Sequence, residues 1–199
     1  MEELVTEIIQ TISGMADKEK RFIVGIDGLS RSGKTTLVNH IRKMEEQEGK
    51  LTVLVFHLDD YIVEQNKRYN TSYEEWYEYY YLQWDINSLK ESLFQKLKVS
   101  EQVTLQLYEA SHDTHSTHTI SLPENCLIIV EGVFLQRKEW RDYFDFVIYL
   151  DCPREIRFKR ESENTQKNIE KFQNRYWKAE DFYLDTVFPK AQANMVLKS

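Results

Sequence analysis

The chain has 199 residues, 41% hydrophobic and 30% charged, with 33 acidic against 26 basic side chains and a formal charge of −7. That length suits one domain, residues 1–199, with one substantial core, and the acidic balance offers nothing to draw the chain to nucleic acid or to an anionic membrane. Its longest apolar runs are strand-length, far short of the roughly 20 residues of a membrane helix, and its two cysteines, Cys126 and Cys152, lack metal-ligand spacing and suit a reduced compartment.

The opening "MEELVTEIIQTI" carries acids where a signal peptide carries bases. Its Leu4, Ile8, Ile9 and Ile12 share one helical face, so it reads as a packed helix of a cytoplasmic protein. Four β-rich runs follow, Phe22–Ile26, Leu51–Phe56, Cys126–Val130 and Phe146–Leu150, apolar on both faces as a buried parallel sheet requires. Leu37, Val38, Ile41 and Met44 mark an amphipathic helix ending near Gly49. In "NTSYEEWYEYYYLQW", Ser72 and Glu75 form a candidate capping box. Tyr73, Trp76, Tyr77, Tyr80, Tyr81 and Trp84 then recur at helical spacing, a core stripe with an acceptor pocket or a homo-oligomer contact as its other uses. Leu89, Leu93 and Leu97 mark a further helix, and Val103–Tyr108 with Thr117–Leu122 read as a β-hairpin. Pro153 opens a charged segment to about Lys178, and the chain finishes as a short helix broken near Pro189 and a last apolar strand. Strands alternating with helices make one α/β domain the economical reading.

The chemistry begins at "GLSRSGKTT", where Gly28-x4-Gly33-Lys34-Thr35 fits the phosphate-loop pattern between a strand and a helix. Glycines let successive backbone N–H groups turn inward, and the new helix adds its positive end. Gly28, Ser30, Arg31, Ser32, Gly33, Lys34, Thr35 and Thr36 are the candidate triphosphate contacts. Lys34 reaches the β and γ phosphates, and the Thr35 hydroxyl is a Mg²⁺ ligand. The expected ligands are therefore ATP and Mg²⁺; no N-K-x-D guanine-reading segment occurs.

The second run ends "VFHLDDY", bringing Asp59 and Asp60 to the carboxyl edge of the sheet, where α/β proteins place their ligands. A carboxylate there can take a proton from an attacking hydroxyl and join the Mg²⁺ shell, or simply cap a turn. Glu131 in "LIIVEGVF" stands at the same edge in the manner of a Walker-B acid. Arg154, Arg157 and Arg160 recur every third residue, as a solvated helix face or as a mobile lid over a triphosphate. "HDTHSTH" holds His112, His115 and His118; that period does not keep three ligands on one face of a strand, so a solvated hairpin turn is expected rather than a metal site.

Taken in order, "GxxxxGKTT", "LDDY", "WD", "LYEAS", "VEGV" and the R-x-x-R of Arg157 and Arg160 resemble the uridine kinase and phosphoribulokinase-like group, which includes nicotinamide riboside and pantothenate kinases. The tail "RYWKAEDFYLDTVFPKAQANMVL" resembles that of bacterial uridine kinase-like proteins. The resemblance implies a three-layer P-loop kinase fold with a parallel central sheet, a β-hairpin insertion and a helical lid at about 153–178. It implies Lys34, Asp59 and Glu131 as catalytic residues, with Asp59 as base, and Thr35, Asp59 and Glu131 at the metal. Asp85 then falls where ribose hydroxyls are held, and Tyr108 and His112 on the hairpin that touches the base. Asp60 and Tyr61 become acceptor contacts, and Arg157 and Arg160 the lid. The chain departs from the family's pattern at Ile62, where an aromatic is common, at Glu109, and past Arg160, where a second arginine group is replaced by "ESENTQKNIEKFQN". The function expected is transfer of the γ-phosphoryl of ATP to a hydroxyl of a uridine- or cytidine-like nucleoside or related small alcohol. The alternatives are a kinase for pantothenate, nicotinamide riboside or a sugar phosphate, and an ATP-binding regulator without turnover.

Overall fold

The computed structural model describes residues 2–15, 20–48 and 52–199. In chain order its first half runs α1 (Glu2–Met15), β1 (Phe22–Gly28), α2 (Lys34–Glu48), β2 (Val53–His57), a 3-10 turn (Leu58–Tyr61), α3 (Gln65–Arg68), α4 (Glu75–Tyr81) and α5 (Ile86–Ser92). There follow β3 (Gln102–Glu109), β4 (Thr114–Ser121), β5 (Leu127–Gly132), β6 (Phe146–Asp151), α6 (Arg154–Lys159), α7 (Glu163–Gln166) and α8 (Ile169–Lys171). A π-helical stretch (Phe172–Trp177), α9 (Lys178–Val187), α10 (Pro189–Gln192) and β7 (Met195–Lys198) complete it.

The four apolar runs become β1, β2, β5 and β6 of a five-stranded parallel sheet in the order β2-β5-β1-β6-β7. Alternate side chains go to opposite faces. Val24, Ile26, Ile129 and Ile148 join Val5, Ile8, Ile12, Leu37, Val38 and Ile41 of α1 and α2 in one aliphatic core. Ile23, Ile128, Val130 and Phe56 join a second, aromatic core with Tyr79, Tyr80, Trp84, Phe134, Trp140 and Tyr183. The result is the three-layer α/β arrangement, with β3 and β4 as a separate two-stranded hairpin. Leu51, the helix end near Gly49 and the Leu4 side chain lie outside what is described. Among the described residues no helix is long and apolar enough to cross a membrane, and Cys126 and Cys152 are buried free thiols.

Four local expectations are corrected. Ser72 and Glu75 make no capping box: α4 starts after Glu74, and Thr71 gives its N–H and hydroxyl to Glu78 Oε1 at 2.7 and 2.9 Å. The tyrosine stripe divides: Tyr80 and Trp84 are buried, joined by Tyr79 from outside the stripe, while Tyr73, 55% exposed, stacks outward on Tyr77. The histidines do not share a turn. His112 lies in the hairpin turn, whereas β4 begins at Thr114 and carries His115 and His118, pairing them with Tyr108 and Leu105. The segment after Pro153 is a chain of short helices and a π-helical stretch; Pro153 stands just outside α6 as its N-cap.

Candidate active site

Between β1 and α2 the backbone bends through Arg31 at φ 61° and Gly33 at φ 99°, with Ser32 N–H donating to the Leu29 carbonyl at 3.1 Å. Beneath the bend, Gly28 has φ 153°, and a β-carbon there would lie 2.7 Å from Ser32 Oγ and 2.9 Å from the Leu150 carbonyl. Only glycine fits both the conformation and the space. Ser32 is wholly buried, and its Oγ has no hydrogen-bond partner among the described residues. Such an orphan inside a cradle of amides is what an anion-binding loop leaves open.

Asp27, at the end of β1, holds this bend from below. It is fully buried and accepts from Tyr183 Oη at 2.5 Å, Gln136 Nε2 at 2.9 Å, and the N–H groups of Gly28 and Leu135 at 2.8 and 3.3 Å. Burial raises its carboxyl above the usual range against the pull of those donors. Sequence reasoning missed this anchor, because Gln136 and Tyr183 lie more than 100 residues away.

A cavity of about 990 Å³ opens over the loop, lined by Ser30 to Thr36 and by Asp59, Glu131, Arg157 and Arg160. Lys34 Nζ donates to the Leu29 carbonyl at 3.2 Å; burial lowers its basicity, opposed by Glu131 and Asp59. Desolvation in the cleft raises the Asp59 carboxyl, opposed by Lys34. The parallel register sets His57 beside Glu131. His57 Nδ1 and Thr35 Oγ1 both meet Glu131 Oε1, at 2.7 and 2.9 Å. Although burial alone would raise Glu131, those two bonds and the Lys34 charge hold its carboxyl below the usual value. His57 went unnoticed in the sequence, although its place two residues before Asp59 on a strand tip was a usable signal. Two carboxylates and a hydroxyl are hard oxygen donors of the kind Mg²⁺ takes alongside water and phosphate. Among the described residues no group of three or more His, Cys, Asp or Glu forms a metal cluster.

The expected lid arginines behave differently from one another. Arg157 is buried, gives Nη1 and Nη2 to Glu180 at 2.7 and 2.9 Å, and donates further to the carbonyls of Cys152 and Ser30 at 3.0 Å each. It is a fixed clamp between the loop and α9, because Glu180, 23 residues on, occupies both ends of the guanidinium. Arg154 pairs with Asp181 and lies over Trp177. Arg160 is exposed, donates to the Arg31 carbonyl at 2.9 Å and faces the cavity.

The remaining expected acceptor contacts stand apart from this cavity. Asp85 is exposed and caps α5, accepting from Ser88 N–H at 2.9 Å; with Tyr61 it lines a second hollow of about 710 Å³. Tyr108 gives its hydroxyl to Asp113 at 2.9 Å and receives Arg68 at 3.3 Å. His112 is exposed and bonds Ser111, and Asp60 is exposed, its carboxyl raised mainly by partial desolvation. The cavity is walled also by Ile62, Tyr79, Gln83, Phe172 and Tyr176, none of them among the expected site residues.

Residues 23–176 match the phosphoribulokinase / uridine kinase family. A uridine kinase of Staphylococcus haemolyticus is 28% identical over 194 residues, covering 87% of this chain and 90% of that protein. One from Staphylococcus aureus is 34% identical over 143 residues, 69% of this chain and 65% of that protein. A solved structure from Bacillus stearothermophilus, described as a possible uridine kinase, is 50% identical with a TM-score of 0.85, covering 97% of this chain and 96% of that one. The match spans the phosphate loop, both acidic strand tips and the arginine segment, so the chain belongs to the phosphoribulokinase/uridine kinase family of P-loop phosphotransferases with alcohol acceptors.

Proposed function

We propose that the protein transfers the γ-phosphoryl of ATP to a hydroxyl of a uridine- or cytidine-like nucleoside. One observation carries the reading: the Ser30–Thr36 bend, Lys34, Asp59 and Glu131 line a common cavity. The triphosphate lies in the amide cradle, and Lys34 offsets its charge. Thr35, Asp59 and Glu131 would hold Mg²⁺, which would supply charge neutralisation at the phosphates. Asp59, open to the cavity and with its carboxyl raised by desolvation, accepts the proton of the acceptor hydroxyl. Arg160, tied to the loop only through one carbonyl, is the mobile cation that screens the transferring group. The relatives named above, uridine kinases by description, support the acceptor class.

The test is ADP release with ATP and Mg²⁺ across uridine, cytidine, nicotinamide riboside, pantothenate and sugar phosphates. Asp59→Asn should leave ATP affinity nearly unchanged and lower acceptor-dependent release by about 10²- to 10⁴-fold. A protein that binds ATP but shows no acceptor-dependent turnover with any of them would be a regulator, and the proposal would fall.

A further inference from the structure

The cavity contains a buried group that the reaction proposed above leaves without a task. Gln83 is only 8% exposed, lines the same cavity as Asp59, and its Oε1 has no hydrogen-bond partner among the described residues. Its backbone is pinned, since the Gln83 carbonyl accepts from Val63 N–H at 3.0 Å, which fixes the residue beside Ile62. A buried carboxamide oxygen without a partner destabilises a folded protein by the desolvation of that group, so native structures rarely keep one that no ligand or water satisfies. Its neighbours on that wall, Ile62 and Tyr79, present an aliphatic and an aromatic surface.

From this we propose that Gln83 is a specificity-determining residue, whose carboxamide hydrogen-bonds a second hydroxyl of the acceptor while Asp59 faces the first. The inference rests on the kinase reading and narrows its substrate class to uncharged, polyhydroxylated acceptors. An amide carries no charge and both donates and accepts, which matches a hydroxyl and gives no ion pair to a carboxylate or phosphate. The charges nearby agree. Asp59, Glu131 and Glu180 bring carboxylates to this cavity; of its cations, Arg157 is committed to Glu180, while Lys34 and Arg160 belong to the phosphate loop, Lys34 within it and Arg160 bonded to its Arg31 carbonyl. The hairpin residues Tyr108 and His112 and the helix cap Asp85 do not line this cavity, whereas Gln83 does.

The experiment measures kcat/KM for uridine, 2′-deoxyuridine, 3′-deoxyuridine, pantothenate and ribulose 5-phosphate with wild type, Gln83→Met and Gln83→Glu, together with ATP affinity and melting temperature. Wild type should prefer uridine over the two anionic alcohols and lose about 10- to 100-fold on at least one deoxy analogue. In Gln83→Met that penalty should shrink to less than about threefold, with ATP affinity and melting temperature held or raised, because the unpaired amide is gone. Gln83→Glu keeps shape and an acceptor oxygen, and should retain the discrimination in part. A role confined to packing would lower melting temperature without altering the ratio between acceptor and deoxy analogue, and that result overturns the inference. If wild type turns over uridine and the Gln83→Met ratio is unchanged, this inference fails while the kinase reading stands. If wild type turns over none of the acceptors, the kinase reading fails and this one with it.

Discussion

Arg157 and Glu180 face each other as a two-pronged pair at 2.7 and 2.9 Å, each almost wholly withdrawn from water. Glu180→Ala leaves a buried guanidinium uncompensated, and urea denaturation should show a loss of about 3–5 kcal/mol. Replacing both partners, Arg157→Met with Glu180→Leu, should recover most of it. A single-variant loss below about 1 kcal/mol, the scale of an exposed pair, would show that the clamp is solvated.

Gly28→Ala should strain the phosphate loop from beneath. The added methyl meets Ser32 Oγ and the Leu150 carbonyl inside contact distance, at a φ that side chains rarely adopt. The expected effect is about 1–3 kcal/mol of stability, read by thermal melting, together with weaker ATP binding in titration calorimetry. Intact ATP affinity would mean that the loop relaxes freely.

Tyr183→Phe removes the 2.5 Å donor to Asp27 and the acceptor of the Gln136 N–H at 3.0 Å, both fully buried. Denaturation should report about 1.5–3 kcal/mol lost. Because Asp27 holds the Gly28 N–H, the KM for ATP should rise as well, while acceptor KM stays put.

The contact between His57 and Glu131 predicts a pH window. The hydrogen bond to Glu131 raises His57 above its ordinary 6.5, so its contribution is complete below 6.5 and is lost as pH rises through the raised value. Glu131 is held below its ordinary 4.5, so its contribution is complete above 4.5 and is lost as pH falls through the lowered value. The melting-temperature gap between wild type and His57→Ala should therefore be widest between pH 4.5 and 6.5 and narrow on either side. A gap that is flat from pH 4 to pH 9 would show that the pair does not carry charge.

The sheet and the phosphate bend were legible because both are written in contiguous residues. Runs such as "CLIIV" exclude water on both faces, and "GLSRSGKTT" needs only its flanking strand and helix to be interpreted. Contacts distant in sequence were not legible. Arg157 reads as a lid residue until Glu180, 23 residues on, is seen to close on it, and nothing local to Asp85 says that it lines a hollow separate from the phosphate-loop cavity. Ser72 is not a cap because α4 starts at Glu75, which puts Glu74 at the N-cap position and leaves Ser72 two residues outside it. Gln83 carried no signal at all, since its importance lies in a partner that it lacks.

In the order β2-β5-β1-β6-β7, the phosphate bend rises from the middle strand with β5 and β6 on its flanks. Ile62 and Gln83, by contrast, belong to segments that follow the edge strand β2, and the Val63 N–H ties the first segment to the Gln83 carbonyl. Exchanging that outer wall breaks no ladder bond of the inner three strands. Substitutions in that wall would therefore reshape one side of the cavity while the strands that carry the phosphate bend keep their pairing.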